Sequence, residues 1–169
     1  MTGTANSTEG LRRWLVETSE RYGAAVLHVP EEEDHAPYSF SVGAWRRFGK
    51  PELVVIGLPE QVGRSVVDTY VERVGRGERF ITGRLYEGFL AEQPVTFERV
   101  AGLYYPEYLG SAMLVYGDDD FPALQLLLPT PDTGLFPWSE RAPEGFAAYQ
   151  PVLTRSGAPE SWKPGHDGA

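Results

Sequence analysis

The run LVVI at 53–56 is wholly apolar, and Gly57-Leu58-Pro59 turns it straight into a helical pattern. Nowhere else does the chain pass directly from a strand pattern into a helix. Doubly wound folds need that junction repeatedly, because parallel strands are joined through crossover helices. One such junction among several strands predicts an α+β domain, with a mostly antiparallel sheet packed against about three helices. The clearest single strand is YSFSV at 38–42, where large apolar residues alternate strictly with serine. A two-residue period puts Tyr38, Phe40 and Val42 on one face of a half-covered strand.

The remaining elements follow from the same reading. Ser7 or Thr8 caps a first helix with Leu11, Trp14, Leu15 and Tyr22 near one face, and Gly23 stops it. An apolar strand at 24–29 ends at Pro30 and forms a hairpin with 38–42 across the acidic turn 31–34. The second helix has Pro59 at its first position and carries Val62, Val66, Tyr70 and Val74 along one stripe. A short strand is expected at 79–82 and a stronger one at 95–100. Pro106 opens a third helix with Leu109, Ala112, Met113 and Tyr116 at helical spacing, closed by Gly117. The last strand is 123–128, after which Pro-rich loops wrap the surface. Residues 1–8 are expected to be flexible, 9–153 to form the single domain, and 154–169, polar and rich in Pro and Gly, to be a disordered tail.

At 169 residues the chain is long enough to bury a core without staples. Its charge is −9, from 24 acidic against 15 basic side chains, and the longest basic run is Arg46-Arg47. Phosphate backbones need a cationic face, so a nucleic-acid partner is not expected. The sequence has no cysteine, which removes disulfides, thiolate metal sites and cysteine nucleophiles. No apolar run approaches the length that spans a bilayer, and the opening residues lack a signal-peptide core, so no membrane partner is expected and the cytoplasm is the default location.

FSVGAWRRFGKPELVVIGLP at 40–59, YYPEYLG at 104–110, DDDFPALQLLLPTPDTGLFPW at 118–138 and QPVL at 150–153 occur in an order that resembles domain of unknown function family 4262. The likeness runs from about Gly23 to Leu153. It implies a soluble bacterial domain of this size and carries no assigned reaction. Ala44 stands where a bulkier aliphatic residue is usual in that pattern.

Candidate chemistry is concentrated in the tract 104–138, which holds four of the nine tyrosines, the trio Asp118-Asp119-Asp120, Gln125 within an apolar strand, and Trp138. Adjacent carboxylates raise one another's pKa, so Asp119 or Asp120 is the candidate acid or base. Tyr38, Trp45, Tyr104, Tyr105, Tyr108, Gln125 and Trp138 are the candidate ligand-binding set, since Tyr and Trp present flat apolar area with a polar handle. His28 and His35 with the acids at 31–34 have metal-compatible donor types, but their spacing matches no recognised site, and the protein is expected to purify without a transition metal. No nucleophile elbow and no phosphate-cradling glycine loop is present. No cofactor is therefore predicted. A flavin is compatible with the alternating strands but lacks a phosphate clamp. The leading expectation is a small-molecule ligand bound in an aromatic and carboxylate cleft, in an accessory or tailoring enzyme. The alternative is an interaction module that recognises one protein partner through the same rings. The sequence leaves the oligomeric state open.

Overall fold

A computed structural model describes residues 3–161. The elements are α1 (Gly3–Tyr22), β1 (Ala25–Val29), β2 (Tyr38–Val42), α2 (Ala44–Phe48), β3 (Glu52–Ile56), α3 (Glu60–Gly75), β4 (Leu85–Tyr86) and β5 (Val95–Arg99). A 3-10 turn (Gly102–Tyr104) leads into α4 (Tyr105–Tyr108), followed by α5 (Gly110–Tyr116), β6 (Ala123–Leu127) and α6 (Phe146–Tyr149). The strands form one sheet in the order β1-β2-β3-β6-β5-β4. Every neighbouring pair is antiparallel except the central β3–β6 pair. The fold is α+β, as the single strand-to-helix junction predicts.

Both faces of the sheet are covered. Tyr38, Phe40, Val42, Val54 and Ile56 pack under Leu15 of α1, Tyr105 and Tyr108 of α4 and Ala112 of α5. Leu53, Val55, Phe97, Leu124 and Leu126 pack under Val66, Val67, Tyr70 and Val74 of α3. Strands covered on both sides read as continuous apolar runs, which explains β3 and β6. It also explains a surprise in β2, where Ser39 and Ser41 are as buried as the rings they alternate with. Helix α3 approaches Ser39 so closely that a Cβ on Gly63 would lie 2.4 Å from its Oγ. The small residues of β2 are therefore the seat of a helix, and the half-covered strand of the sequence reading is fully enclosed.

Several local expectations need correction. Only Leu15 of the expected α1 face is buried; Leu11, Trp14 and Tyr22 are exposed. Residues 79–82 are not a strand: Arg84 N–H closes a turn onto the Ile81 carbonyl, and the short strand falls at Leu85–Tyr86. Pro59 precedes α3 in an extended conformation instead of occupying its first turn. The third helix is broken at Leu109, whose φ of −125° separates α4 from α5. The first helix begins at Gly3, ahead of the Ser7 or Thr8 expected to cap it. Of the tail expected to be disordered, residues 154–161 lie within the described chain, with Thr154 buried, and the rest falls outside it.

Candidate functional site

The predicted site residues occupy five separate places. Tyr38, Tyr105 and Tyr108 belong to the core beneath α4, with Tyr104 partly buried against it. Tyr38 and Tyr108 meet edge to face at 4.9 Å, and the Tyr105 hydroxyl donates to the Phe121 carbonyl at 2.7 Å. Gln125 is fully buried on β6, where its Nε2 donates to the Pro151 carbonyl (2.7 Å) and its Oε1 accepts from Leu153 N–H (2.8 Å). Trp138 stacks on Phe136 at 5.0 Å, and Trp45 is partly exposed at the start of α2. Asp119 and Asp120 are exposed on the turn after α5. Phe121, which follows them, packs its ring at a tilt against Tyr105 and Tyr116. The aromatic tract is thus spent largely on packing, and its rings fill the volume that the short helices α4 and α5 leave over the sheet.

Two buried carboxylates stand out instead, and neither carries a sequence motif. Glu52, at the first position of β3, is fully buried. Its Oε1 accepts from Ser41 Oγ at 2.7 Å and Ala44 N–H at 3.1 Å. Its Oε2 accepts from Gly43 N–H at 2.8 Å, Trp45 N–H at 3.2 Å and the Tyr116 hydroxyl. The three amides are the free N-terminus of α2, so Glu52 caps that helix from the first residue of the following strand. Gly43 is required there: φ is +135°, and a Cβ would stand 2.9 Å from the Ala24 backbone. Burial pushes the Glu52 carboxyl up, while the hydrogen bonds from Tyr116, Gly43, Ser41 and Trp45 oppose it. The Tyr116 hydroxyl is itself pushed well up, by burial and by the Glu52 charge.

Glu98 on β5 is the contrasting case. Its Oε1 accepts from Glu160 and Ser161 N–H at 2.9 and 3.2 Å, while Oε2 is buried with no partner among the described residues. Burial pushes this carboxyl up, partly offset by the two amides. A folded-state pKa above the unfolded one supplies its full stability below the unfolded value and loses it as pH rises through the folded one. Glu98→Gln is therefore expected to unfold at a higher urea midpoint than wild type near about pH 8, by on the order of 1 kcal/mol, with the difference closing towards about pH 4. Parallel curves at both pH values would contradict this.

At the tip of the β1–β2 hairpin, Glu32, Asp34 and His35 bring ligand atoms within 4.8 Å of one another. Glu32 and Asp34 are exposed, and His35 Nδ1 donates to the Ala36 carbonyl at 2.9 Å. His28 lies apart from them, with Nδ1 2.7 Å from Ser39 Oγ.

The feature best shaped to receive a ligand lies elsewhere. The two parallel strands β3 and β6 end side by side, and their connections part. Gly57-Leu58 leads to α3 on one face of the sheet. The chain after β6 loops out through Pro129 and Pro131 and returns through α6 to lay residues 150–153 on the other face. Between them opens a cleft of about 340 Å³, with Ile56, Leu58 and Leu128 at its base and Leu90, Ala91, Pro131, Phe146 and Tyr149 around it. Gln150 braces the base, accepting from Leu128 N–H at 2.8 Å and donating to the Leu128 carbonyl at 2.9 Å. Glu92 and Tyr149 are the ionisable groups among the lining residues, and none of the nine predicted site residues is among them. The cleft had no signature in the sequence beyond the lone strand-to-helix junction.

An α+β domain with an apolar cleft at the carboxyl ends of its one parallel strand pair is the class these observations define. The chain belongs to the family described as Domain of unknown function (DUF4262), whose model matches residues 18–143. No curated protein and no solved structure matched it. Among the described residues, no helix is long and apolar enough to cross a membrane.

Proposed function

We propose that this protein binds a small, largely apolar molecule in the cleft between the ends of β3 and β6. The observation that carries the reading is the position of the cleft. In sheets with parallel strands, ligands settle outside the carboxyl ends where neighbouring connections diverge to opposite faces. The volume of about 340 Å³ falls in the range of small-molecule sites, and a mostly apolar lining with a few polar groups is their usual chemistry. Gln93 and Glu92 are the groups available to orient a ligand, together with the acceptor side of the Tyr149 hydroxyl, whose proton goes to Glu31. No nucleophile with an adjacent base lines the cleft, so the reading is one of binding, with any chemistry supplied by the ligand or a partner.

The test is to fill the cleft without disturbing the core. Ala91 is exposed at its rim, so Ala91→Trp should fold normally while occupying the space. An environment-sensitive anilinonaphthalene sulfonate probe is expected to bind the wild-type chain with one-to-one stoichiometry. Ala91→Trp should weaken that binding roughly tenfold or more, about 1.4 kcal/mol. Absence of saturable binding to the folded wild type, or equal binding to the variant, would overturn the proposal.

A further inference from the structure

We infer that β1 is the pairing edge of a two-fold homodimer, in which the β1 strands of two copies run antiparallel and join their sheets into one. The two edges of the sheet are built differently. The β4 edge is only two residues long, a common protection against unwanted pairing. The β1 edge is five residues, AVLHV, with no proline, lysine or carboxylate. Beside it, α1 exposes Trp14 and Tyr22, at 50% and 69% of their surface, over an open groove that β1 floors and Arg64 and Asp68 of α3 wall. A largely apolar edge flanked by exposed rings is a surface shaped for a partner.

The occupant is assigned by charge and register. The Val26 carbonyl points outward, since it accepts from Arg64 Nη1 at 2.8 Å. A two-fold axis through Val26 would let the Val26 main-chain groups of the two copies bond each other, in place of the Arg64 bond to that carbonyl, and would set Ala24 opposite His28 of the second copy. Helix α3 runs antiparallel to β1: Gly63 abuts Ser39, the register partner of His28, and Gly23 abuts Val71. Interpolating between those two levels places Val26 beside the turn between Arg64 and Asp68. The same axis then carries Arg64 of each copy towards Asp68 of the other. Asp68 makes no salt bridge among the described residues, and Arg64, besides its bond to the Val26 carbonyl, holds an exposed pair with Glu60. The surface is self-complementary under this one symmetry operation, which is the requirement for an isologous dimer.

Sedimentation velocity of the full chain tests the assignment. Wild type is expected to sediment as a reversible dimer. Asp68→Arg, which sets like charges across the axis, should raise the dimer dissociation constant by about tenfold or more. Combining it with Arg64→Asp should restore the dimer, and Trp14→Glu should weaken it independently. All these positions are on the surface, so circular dichroism can verify that each variant is folded. A wild type that stays monomeric up to near-millimolar concentration would overturn the proposal. So would a dimer that both Asp68→Arg and Trp14→Glu leave unchanged, or one that the double charge exchange fails to rescue.

Discussion

Glu52→Gln, which alters a single atom, is expected to cost about 3–5 kcal/mol of folding stability. All five groups around the carboxylate are donors, shared two and three between its oxygens. An amide replaces one acceptor oxygen with two further donors. Whichever way it turns, at least two buried donors face N–H groups. A neighbouring hydroxyl could accept from the amide only through its second lone pair, because Ser41 Oγ already accepts from Leu53 N–H and the Tyr116 oxygen from Arg46 N–H, and its own proton would then lose the carboxylate. Burial pushes the Glu52 carboxyl up, while the hydrogen bonds from Tyr116, Gly43, Ser41 and Trp45 favour its charged form. Tyr116→Phe removes one donor of the five and leaves the helix cap intact, so it should cost only about 1–2 kcal/mol. The measurement is the urea midpoint of each variant with an unchanged slope. A Glu52→Gln midpoint equal to wild type would mean that the cage does not hold α2 in place.

Glu52 also marks the limit of what the sequence disclosed. Between Pro51 and Leu53 it reads as an ordinary polar residue at the mouth of a strand. Its donors come from β2, from the start of a five-residue helix and from α5, and nothing local announces that they meet. The strands themselves were legible, because the period of YSFSV and the apolar run LVVI arise from how strands bury their side chains. The α3 stripe was legible for the same reason at Val66, Tyr70 and Val74, all of which are buried. Partners were not. Whether Ser39 faces water or a helix depends on Gly63, which is far along the chain and carries no side chain to advertise the contact. On α1 the apolar positions Trp14 and Tyr22 were visible, but sequence cannot distinguish a face that packs on its own sheet from one left outside.

The aromatic tract shows the converse. Its composition was read as a site because rings, an amide and carboxylates lay close together in sequence. In space the rings of Tyr105, Tyr108 and Phe121 face the sheet, while the aspartates end the turn and face water. Sequence proximity along a helix–turn–strand passage sends successive side chains in different directions. The cleft, by contrast, is assembled from the ends of β3 and β6, the loop before β5 and α6. Each contributes apolar residues without any motif, so only the topology brings them together.

Gln125→Leu carries the second large effect, and it reports on how the returning segment is held. Both polar atoms of the side chain pair with the main chain of the returning segment, at the Pro151 carbonyl and Leu153 N–H. Gln150 makes the equivalent pair with Leu128 on the neighbouring turn of chain. The two glutamines tie the returning segment to β6 and to Leu128 just beyond it, and so fasten residues 150–153 to the sheet. Leucine matches the volume but strands two buried main-chain groups, each costing about 1–3 kcal/mol, offset in part by the added apolar surface. The expected net loss is about 2–4 kcal/mol. It should be local before it is global, because the segment is held at few other points, among them the bond from Ala101 N–H to the Leu153 carbonyl. Hydrogen exchange should therefore quicken first at Ala101 and Leu153, with α3 and β3 amides unaffected until full unfolding. Asp120→Asn, at an exposed position, should leave both measurements at wild-type values. Uniform acceleration across the sheet, or a Gln125→Leu chain as stable as wild type, would show that residues 150–153 are held by apolar packing around Leu153 and not by the amide.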